Sequence, residues 1–195
     1  MVYRDLLQAK KRMRQEALAR RRSLSPKENE TFSEAICRRL RSLPACCMAQ
    51  RIFAFASMAD EVQLYGWIAA ALAEGKAVAL PLVRAKGVMA AVRVRALSDL
   101  VLGDYGILTV REDQREIVDP ASLDCVLVPG AAFSRKGERL GLGAGFYDRF
   151  LGEKATQAQR IAVAFSCQIM EDLPLEAHDI MMHGIVTENE TIFCR

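Results

Sequence analysis

Hydrophobic and polar positions follow two periods along the chain, which predict helices and strands in alternation. Residues 4–22 carry a thin apolar stripe at helical spacing among many cations. A second helix is predicted to begin after Ser25, because Ser25 can cap it and Glu28 completes a capping box. A third helix is predicted over residues 61–73, with Gly75 ending it.

Short apolar runs predict the strands. They cover residues 51–56, 77–83, 88–95, 123–128, 160–165, 184–188 and 191–194. Residues 98–120 and the glycine-rich stretch 129–145 are predicted to be loops, and helix is expected to resume near Phe146. Because strands alternate with helices, the predicted fold class is α/β, a single domain over residues 1–195 with a mostly parallel central sheet flanked by helices.

The charge of the chain is concentrated at its beginning. Residues 1–22 hold eight basic and two acidic side chains, whereas the chain as a whole carries a net charge of +3. The remainder is therefore acidic overall, and the basic segment is interpreted as one anion-binding helix rather than part of a nucleic-acid-binding surface. With 51% hydrophobic residues the chain can form a core, yet no apolar run is long enough to cross a bilayer.

The cysteines and the first residues indicate a reducing, cytoplasmic location. Six cysteines are scattered without a C-x-x-C pair, and there are only two histidines, which argues against a zinc cluster. No apolar core follows the first charges, as a secretory signal would require. An Arg-rich start can also resemble a mitochondrial transit peptide, but Asp5 and Glu16 count against that alternative.

The stretch from residue 129 to residue 149 is the main candidate for chemistry, because it leads from a buried strand into a helix. Gly141, Gly143 and Gly145 let backbone N–H groups approach a phosphate closely. Arg139 supplies positive charge, and Asp148 could hold Mg²⁺ together with phosphate oxygens. A tight turn with a solvated charged rim is the structural alternative. The spacing matches neither a P-loop nor a dinucleotide-binding turn.

A longer pattern contains these residues. It reads Pro129-Gly130-x-Ala132-Phe133, then Gly137-x-Arg139-Leu140-Gly141-x-Gly143-x-Gly145-x-Tyr147-Asp148. This pattern resembles the signature of the 5-formyltetrahydrofolate cyclo-ligase family. Residues 9–14, 57–62, 75–81 and 161–188 are also similar to segments of that family.

The resemblance implies an activity and a fold. ATP would phosphorylate the formyl oxygen of 5-formyltetrahydrofolate, N10 would attack the activated carbon, and loss of phosphate would leave 5,10-methenyltetrahydrofolate and ADP. Mg²⁺ would be the metal cofactor, and the partners would be small molecules only, with no nucleic acid and no membrane. The implied fold is related to the ribose-phosphate isomerase and CoA-transferase group, and the enzyme is expected to be a monomer.

The resemblance also implies roles for individual residues. The expected catalytic residues are Arg14, Arg139 and Tyr147. The expected ATP-binding residues are Lys10, Lys11, Arg14, Lys136, Arg139, Leu140, Gly141, Leu142, Gly143, Ala144, Gly145, Phe146 and Tyr147. The expected folate-binding residues are Arg14, Ala56, Glu61, Leu142, Gly143, Ala144, Gly145 and Phe146. Asp148 and Asp179 are expected to bind Mg²⁺, and the helix within residues 1–24 is expected to pack onto the site.

Each of these roles has a structural alternative. Lys10 and Arg14 could be a solvated helix face, although their i,i+4 spacing puts them on one side. Glu61 could cap the helix that follows it, Asp179 could be a turn residue, and His178 is interpreted as structural.

The chain departs from the family pattern at several positions, which bears on substrate preference and turnover. Ser134 stands where Asp is common, Ala144 where Gly or Lys is usual, and Phe146 where Tyr is common. Residues 106–110 lack the usual Glu-Pro after Gly-Ile.

Two other functions are weighed against this one. The first is a related ATP-dependent enzyme acting on a different small anionic substrate. The second is an RNA- or anion-binding module acting through residues 4–22, which is disfavoured because aromatic residues for base stacking are not interleaved with the cations. Arg20, Arg21 and Arg22 could favour a substrate with an acidic tail.

Overall fold

A computed structural model describes residues 2–85, 87–103, 106–176 and 179–194. The α-helices are α1 (Val2–Arg22), α2 (Pro26–Ser42), α3 (Pro44–Cys47), α4 (Tyr65–Ala73) and α5 (Phe146–Arg149), which continues as a π-helical turn over Phe150–Lys154. The strands are β1 (Arg51–Phe53), β2 (Ala77–Ala85), β3 (Val88–Val94), β4 (Leu100–Leu102), β5 (Leu108–Val110), β6 (Ile117–Val118), β7 (Cys125–Val128), β8 (Ala132–Ser134), β9 (Arg139–Leu140), β10 (Gln159–Val163), β11 (Ile169–Met170), β12 (Gly184–Val186) and β13 (Thr191–Phe193).

The main sheet has eight strands in the order β13-β12-β10-β7-β1-β2-β3-β6. Its five central strands, from β12 to β2 in this order, are parallel to one another. The strands at the two edges are added in antiparallel fashion. The predicted α/β class with a mostly parallel central sheet is therefore confirmed. No helix in the described ranges is long and apolar enough to cross a membrane.

Both faces of the central strands are buried, which explains why they read as continuous apolar runs. In β1, Ile52 belongs to the core under α2 and α4, whereas the next residue, Phe53, belongs to the core on the opposite face. In β7, Leu127 likewise belongs to the core under α2 and α4, and Val128 belongs to the core on the opposite face. Phe53 stacks on Phe150 of the π-helical turn, with ring centroids 4.7 Å apart, and thereby fixes the segment that follows the glycine-rich stretch.

The start of α2 agrees with the prediction from sequence, but the start of α4 does not. Both hydrogen bonds of the capping box between Ser25 and Glu28 are present. Residues 61–64, predicted to be helical, form a turn instead, and α4 begins at Tyr65. Side chains hold this turn: the Ser33 hydroxyl accepts a hydrogen bond from the backbone N–H of Gln63 at 2.9 Å. These contacts offer the backbone an alternative to the helix.

The two stretches predicted as loops contain short strands. Residues 98–120 hold β4 and β5, which pair with each other, and β6 at the edge of the main sheet. Residues 129–145 hold β8 and β9, which pair with each other, while β11 adds to β8. Because these strands have two or three residues, their stability depends on partners distant in sequence, and local periodicity does not show them.

Candidate active site

A charged cavity of about 240 Å³, lined by three basic and three acidic side chains, lies where α1 meets the glycine-rich stretch. Lys10 and Arg14 enter it from consecutive turns of α1, as their spacing predicts. Arg139 and Asp148 enter from β9 and α5. The remaining lining residues are Leu7, Leu140, Gly141, Gly143, Gly145, Glu176 and Asp179. The structure thus brings together the basic helix, the glycines and both predicted metal ligands.

Lys10 is held at the wall of this cavity by two carboxylates. It is 8% exposed, and its Nζ lies 2.7 Å from Glu176 Oε2 and 2.7 Å from Asp179 Oδ2. Burial lowers the pKa of Lys10, but the hydrogen bonds and charges of Asp179 and Glu176 outweigh it and raise the pKa above its ordinary value. Lys10 is therefore protonated at neutral pH, and its ammonium group is fixed in place.

Arg14 joins α1 to the glycine-rich stretch. Its Nε donates a hydrogen bond of 2.7 Å to the carbonyl oxygen of Gly141. Gly143 has a φ of +102°, and a Cβ built there would lie 3.5 Å from Arg14 Cζ. The side chain of Arg14 thus lies over the backbone of this stretch, which places its charge where a phosphate held by the glycines would bind.

Arg139 forms the floor of the cavity. Its side chain is 4% exposed, and Nη2 lies 2.7 Å from Asp148 Oδ1. Nη1 donates to the carbonyl oxygen of Pro129 at 3.3 Å, and Cζ lies 5.7 Å from the ring centroid of Tyr147. Across the described part of the chain, two buried side-chain atoms lack a hydrogen-bond partner, and both are here: Arg139 Nε and the Tyr147 hydroxyl. Because such atoms are costly to bury, they are candidates for hydrogen bonds to a polar ligand or to water.

A second, mostly apolar cavity of about 470 Å³ adjoins the first, which is a typical volume for a small-molecule site. The segment 141–145 separates the two cavities: Gly143 and Gly145 line the charged cavity, whereas Leu142 and Ala144 line the apolar one. The other lining residues are Phe55, Ala56, Met58, Glu61, Pro81, Leu82, Val83, Met89, Gly103, Ile107, Thr109, Arg115, Pro129, Phe146 and Tyr147.

Glu61 brings a negative charge into this apolar cavity. It is 6% exposed, and one carboxylate oxygen accepts a 3.0 Å hydrogen bond from the backbone N–H of Met58. Burial raises the pKa of Glu61, although the Met58 N–H and the charge of Arg21 oppose the shift. Arg21 Nη1 lies 3.5 Å from Glu61 Oε1, and Arg21 Nη2 lies 2.8 Å from Asp60 Oδ2. Arg21 and the Met58 N–H thus fix the position of the Glu61 carboxylate, which can accept hydrogen bonds from the N–H groups of a ligand.

The predicted metal ligands have the right chemistry for Mg²⁺, which prefers carboxylate, phosphate and water oxygens. Asp148 and Asp179 line one cavity, and Glu176 lies beside them. Asp148 and Asp179 are ion-paired with Arg139 and Lys10. An anionic ligand could draw these cations toward its phosphates and leave the carboxylates to face a metal ion. The described residues form no preassembled group of three or more metal-ligating side chains.

Some predicted residues lie elsewhere. Lys11 is exposed on α1 and is not among the residues lining either cavity. Lys136 is exposed and pairs with Asp172, also outside both cavities. His178 lies outside the described residues. The binding roles of Lys11 and Lys136 therefore stay predictions without a structural contact to support them.

Sequence reasoning did not predict how three residues line or support the site. Glu176 binds Lys10, and Arg21 supports Glu61. Arg115 lines the apolar cavity. A signal for Arg21 was present, since it follows Arg14 by seven residues and lies on the same side of α1. Glu176 and Arg115 lie in irregular segments, where no periodicity indicates their direction.

A larger open groove of about 1060 Å³ lies between the end of α1, α2 and α4. Several of its charged side chains pair with one another near solvent, such as Lys27 with Glu30 and Arg22 with Asp60. The groove contains none of the glycine-rich stretch. The two smaller cavities are therefore the better candidates for an active site.

Gly143→Ala tests the glycine-rich stretch. The substitution meets no close atom but forces a side chain into a positive φ, at a cost of about 1 kcal/mol. We expect the KM for a nucleoside triphosphate to rise about ten-fold, because the backbone N–H groups move. Gly75→Ala, with a φ of +81° and nothing within 4 Å, is the matched control. It should lower the melting temperature similarly and leave KM unchanged; equal KM effects in both variants would contradict a phosphate-binding role.

Comparisons with known proteins identify the family. The model of the 5-formyltetrahydrofolate cyclo-ligase family matches residues 7–188. The 5-formyltetrahydrofolate cyclo-ligase of Escherichia coli K12 is 30% identical over 174 residues, covering 88% of this chain and 96% of the relative. The mouse enzyme of the same name is 27% identical over 192 residues, covering 93% of this chain and 94% of the relative.

Solved structures give the same result. The solution structure of Aquifex aeolicus 5,10-methenyltetrahydrofolate synthetase superimposes with a TM-score of 0.84 at 33% identity, covering 95% of this chain and 93% of the other. The synthetase from Mycoplasma pneumoniae superimposes with a TM-score of 0.73 at 22% identity, over 92% of this chain and 98% of the other, which supports the fold. The match of the family model over residues 7–188, together with these relatives, shows that the chain belongs to the 5-formyltetrahydrofolate cyclo-ligase family.

Proposed function

We propose that this protein converts 5-formyltetrahydrofolate and ATP into 5,10-methenyltetrahydrofolate, ADP and phosphate. One observation supports the proposal beyond the family match: a cavity lined by three cations and three carboxylates meets an apolar cavity at residues 141–145. A triphosphate in the first and a reduced folate in the second would bring the γ-phosphorus close to the formyl group. We further propose a single cyclo-ligase domain over residues 1–195 that acts as a cytoplasmic monomer.

The reaction needs positioning and charge neutralisation rather than a protein nucleophile. The formyl oxygen attacks the γ-phosphorus and releases ADP. N10 then attacks the activated carbon and loses its proton, and the C–O bond breaks so that phosphate leaves. Lys10, Arg14 and Arg139 surround the phosphate position and would neutralise the charge that develops on the transferred group. Their anchoring by Asp179, Gly141 and Asp148 keeps them oriented before the ligand arrives.

The apolar cavity would hold the folate. Glu61 can accept hydrogen bonds from the N–H groups of the pterin ring, which is the donor-rich part of the molecule. Burial, together with the charge of Glu61, raises the pKa of Tyr147, so its hydroxyl stays protonated. The Tyr147 hydroxyl, which lacks a partner, can therefore donate a hydrogen bond to a folate oxygen such as that of the formyl group.

Mg²⁺ would be held by Asp148 and Asp179 together with phosphate oxygens, and it would supply further charge neutralisation. Both residues lie in the cavity assigned to the triphosphate. Each of these two carboxylates is ion-paired with a cation of that cavity. When Mg-ATP binds, the carboxylates would exchange that cation for Mg²⁺, so no further protein charge would have to be buried.

The proposal is tested by absorbance at the methenyl-folate band, with protein, ATP, Mg²⁺ and 5-formyltetrahydrofolate. We expect a rise that needs both ATP and Mg²⁺. Asp148→Asn should lower the rate by about 10²-fold, because it removes a metal ligand and the partner of Arg139. Asp172→Asn is the control, since Asp172 pairs with Lys136 on the surface and its loss should change the rate by less than about two-fold.

Two results would contradict the proposal. Folded protein that hydrolyses or binds ATP without forming methenyl product would favour a related enzyme acting on another small anionic substrate. A product yield independent of ATP would remove the phosphoryl-transfer step.

A further inference from the structure

The apolar cavity has only two charged residues among its described lining, and they have opposite signs. Glu61 is 6% exposed and lies deep, where Arg21 and Tyr147 surround it. The Arg115 side chain is 26% exposed, and this greater exposure puts its charge nearer to solvent. A ligand that fills this cavity therefore meets a buried acceptor and a cation closer to the mouth.

Arg115 is held in place by the backbone. Its Nε donates a 3.2 Å hydrogen bond to the carbonyl oxygen of Val110, the last residue of β5. Its Nη1 lies 3.8 Å from Glu112, whose side chain is 91% exposed. Such a distant, solvated pair contributes little, so the guanidinium group keeps most of its capacity to bind an anion. The anchored Nε leaves the two terminal nitrogens in a fork that suits a carboxylate.

From this arrangement we propose that Arg115 binds a carboxylate of the substrate's glutamate moiety. The inference rests on the proposed function, which puts a reduced folate in the apolar cavity. The folate carries its N–H donors on the pterin ring at one end and its carboxylates on the glutamate at the other. This polarity matches a deep Glu61 and an Arg115 nearer the mouth, with the aminobenzoyl group among apolar side chains between them.

The other cations considered for an acidic tail are already engaged. Arg20 pairs with Glu16, and both Arg21 and Arg22 pair with Asp60. Arg20 does not line the apolar cavity, and neither do the other two. Charge composition alone pointed to these three residues, whereas the cavity lining points to Arg115.

The test compares 5-formyltetrahydrofolate with 5-formyltetrahydropteroate, which is the same compound without the glutamate. Binding is measured by calorimetry and turnover by methenyl absorbance. Wild-type protein should bind the glutamate-containing compound about ten-fold more tightly. Arg115→Gln should remove that preference by weakening binding of the folate while changing binding of the pteroate by less than about two-fold. Arg115→Lys, which retains the charge, should keep part of the preference.

Arg93→Gln is the control, because Arg93 is a half-exposed arginine paired with Glu116 outside the cavity. It should leave both affinities unchanged. If the wild-type protein binds the two compounds equally, the assignment is overturned, and this result does not depend on whether the variants fold. An Arg115→Gln variant that weakens both compounds equally would also overturn it, since Arg115 would then only shape the segment after β5. Binding without product would contradict the proposed function but not the carboxylate contact; binding of neither compound would overturn both.

Discussion

Replacing Arg139 with lysine is expected to lower kcat for methenyl formation by about 10²-fold or more. Arg139 contacts Asp148, the carbonyl oxygen of Pro129 and the ring face of Tyr147 at the same time, and its Nε remains for a ligand. Lysine keeps the charge, but one ammonium group cannot make these contacts together. Steady-state kinetics with saturating ATP and folate measure the effect.

The matched control for this change is Arg135→Lys, four residues earlier on the same hairpin. Arg135 is exposed and pairs with Glu190, so the substitution should change kcat by less than about two-fold. Thermal unfolding of both variants separates loss of folding from loss of catalysis. A folded Arg139→Lys variant with a kcat close to that of the wild type would show that the fork geometry of Arg139 is not needed for phosphoryl transfer.

Lys10→Met is expected to reduce kcat/KM for ATP by about 10²-fold, because a buried cation at the proposed phosphate position is lost. The same change also leaves Glu176 and Asp179 without the ammonium group between them. Repulsion of the incoming triphosphate by these carboxylates adds to the effect. Initial rates at varied ATP and saturating folate give kcat/KM directly.

Lys11→Met is a stringent control, because it removes the same charge from the neighbouring residue of α1. Lys11 is exposed and outside the cavity lining, so we expect a change of less than about two-fold. A large effect of Lys11→Met would instead support the sequence-based prediction that Lys11 binds ATP. Equal, small effects of both variants would remove α1 from the phosphate site.

Much of the fold could be predicted from sequence because its signals are local. The capping box at Ser25 and Glu28 sets the start of α2 through contacts three residues apart. The apolar run at residues 123–128 indicates a strand buried on both faces, and the structure has a fully buried strand there, β7, over Cys125–Val128. The start of α4 could not be predicted, because Ser33 on another helix engages the backbone at Gln63 and competes with helix formation.

The sequence by itself determined the chemistry available to this protein: a cationic helix, three closely spaced glycines, and carboxylates at 148 and 179. The tertiary structure alone decided which of these groups meet. It brings Lys10 against Asp179, 169 residues away, and directs it into the cavity while Lys11 faces solvent. It also puts Arg115 in the wall of a cavity otherwise formed mainly by distant apolar residues. The reason is physical: composition and spacing record which side chains exist, whereas packing and pairing between distant segments decide their direction and burial.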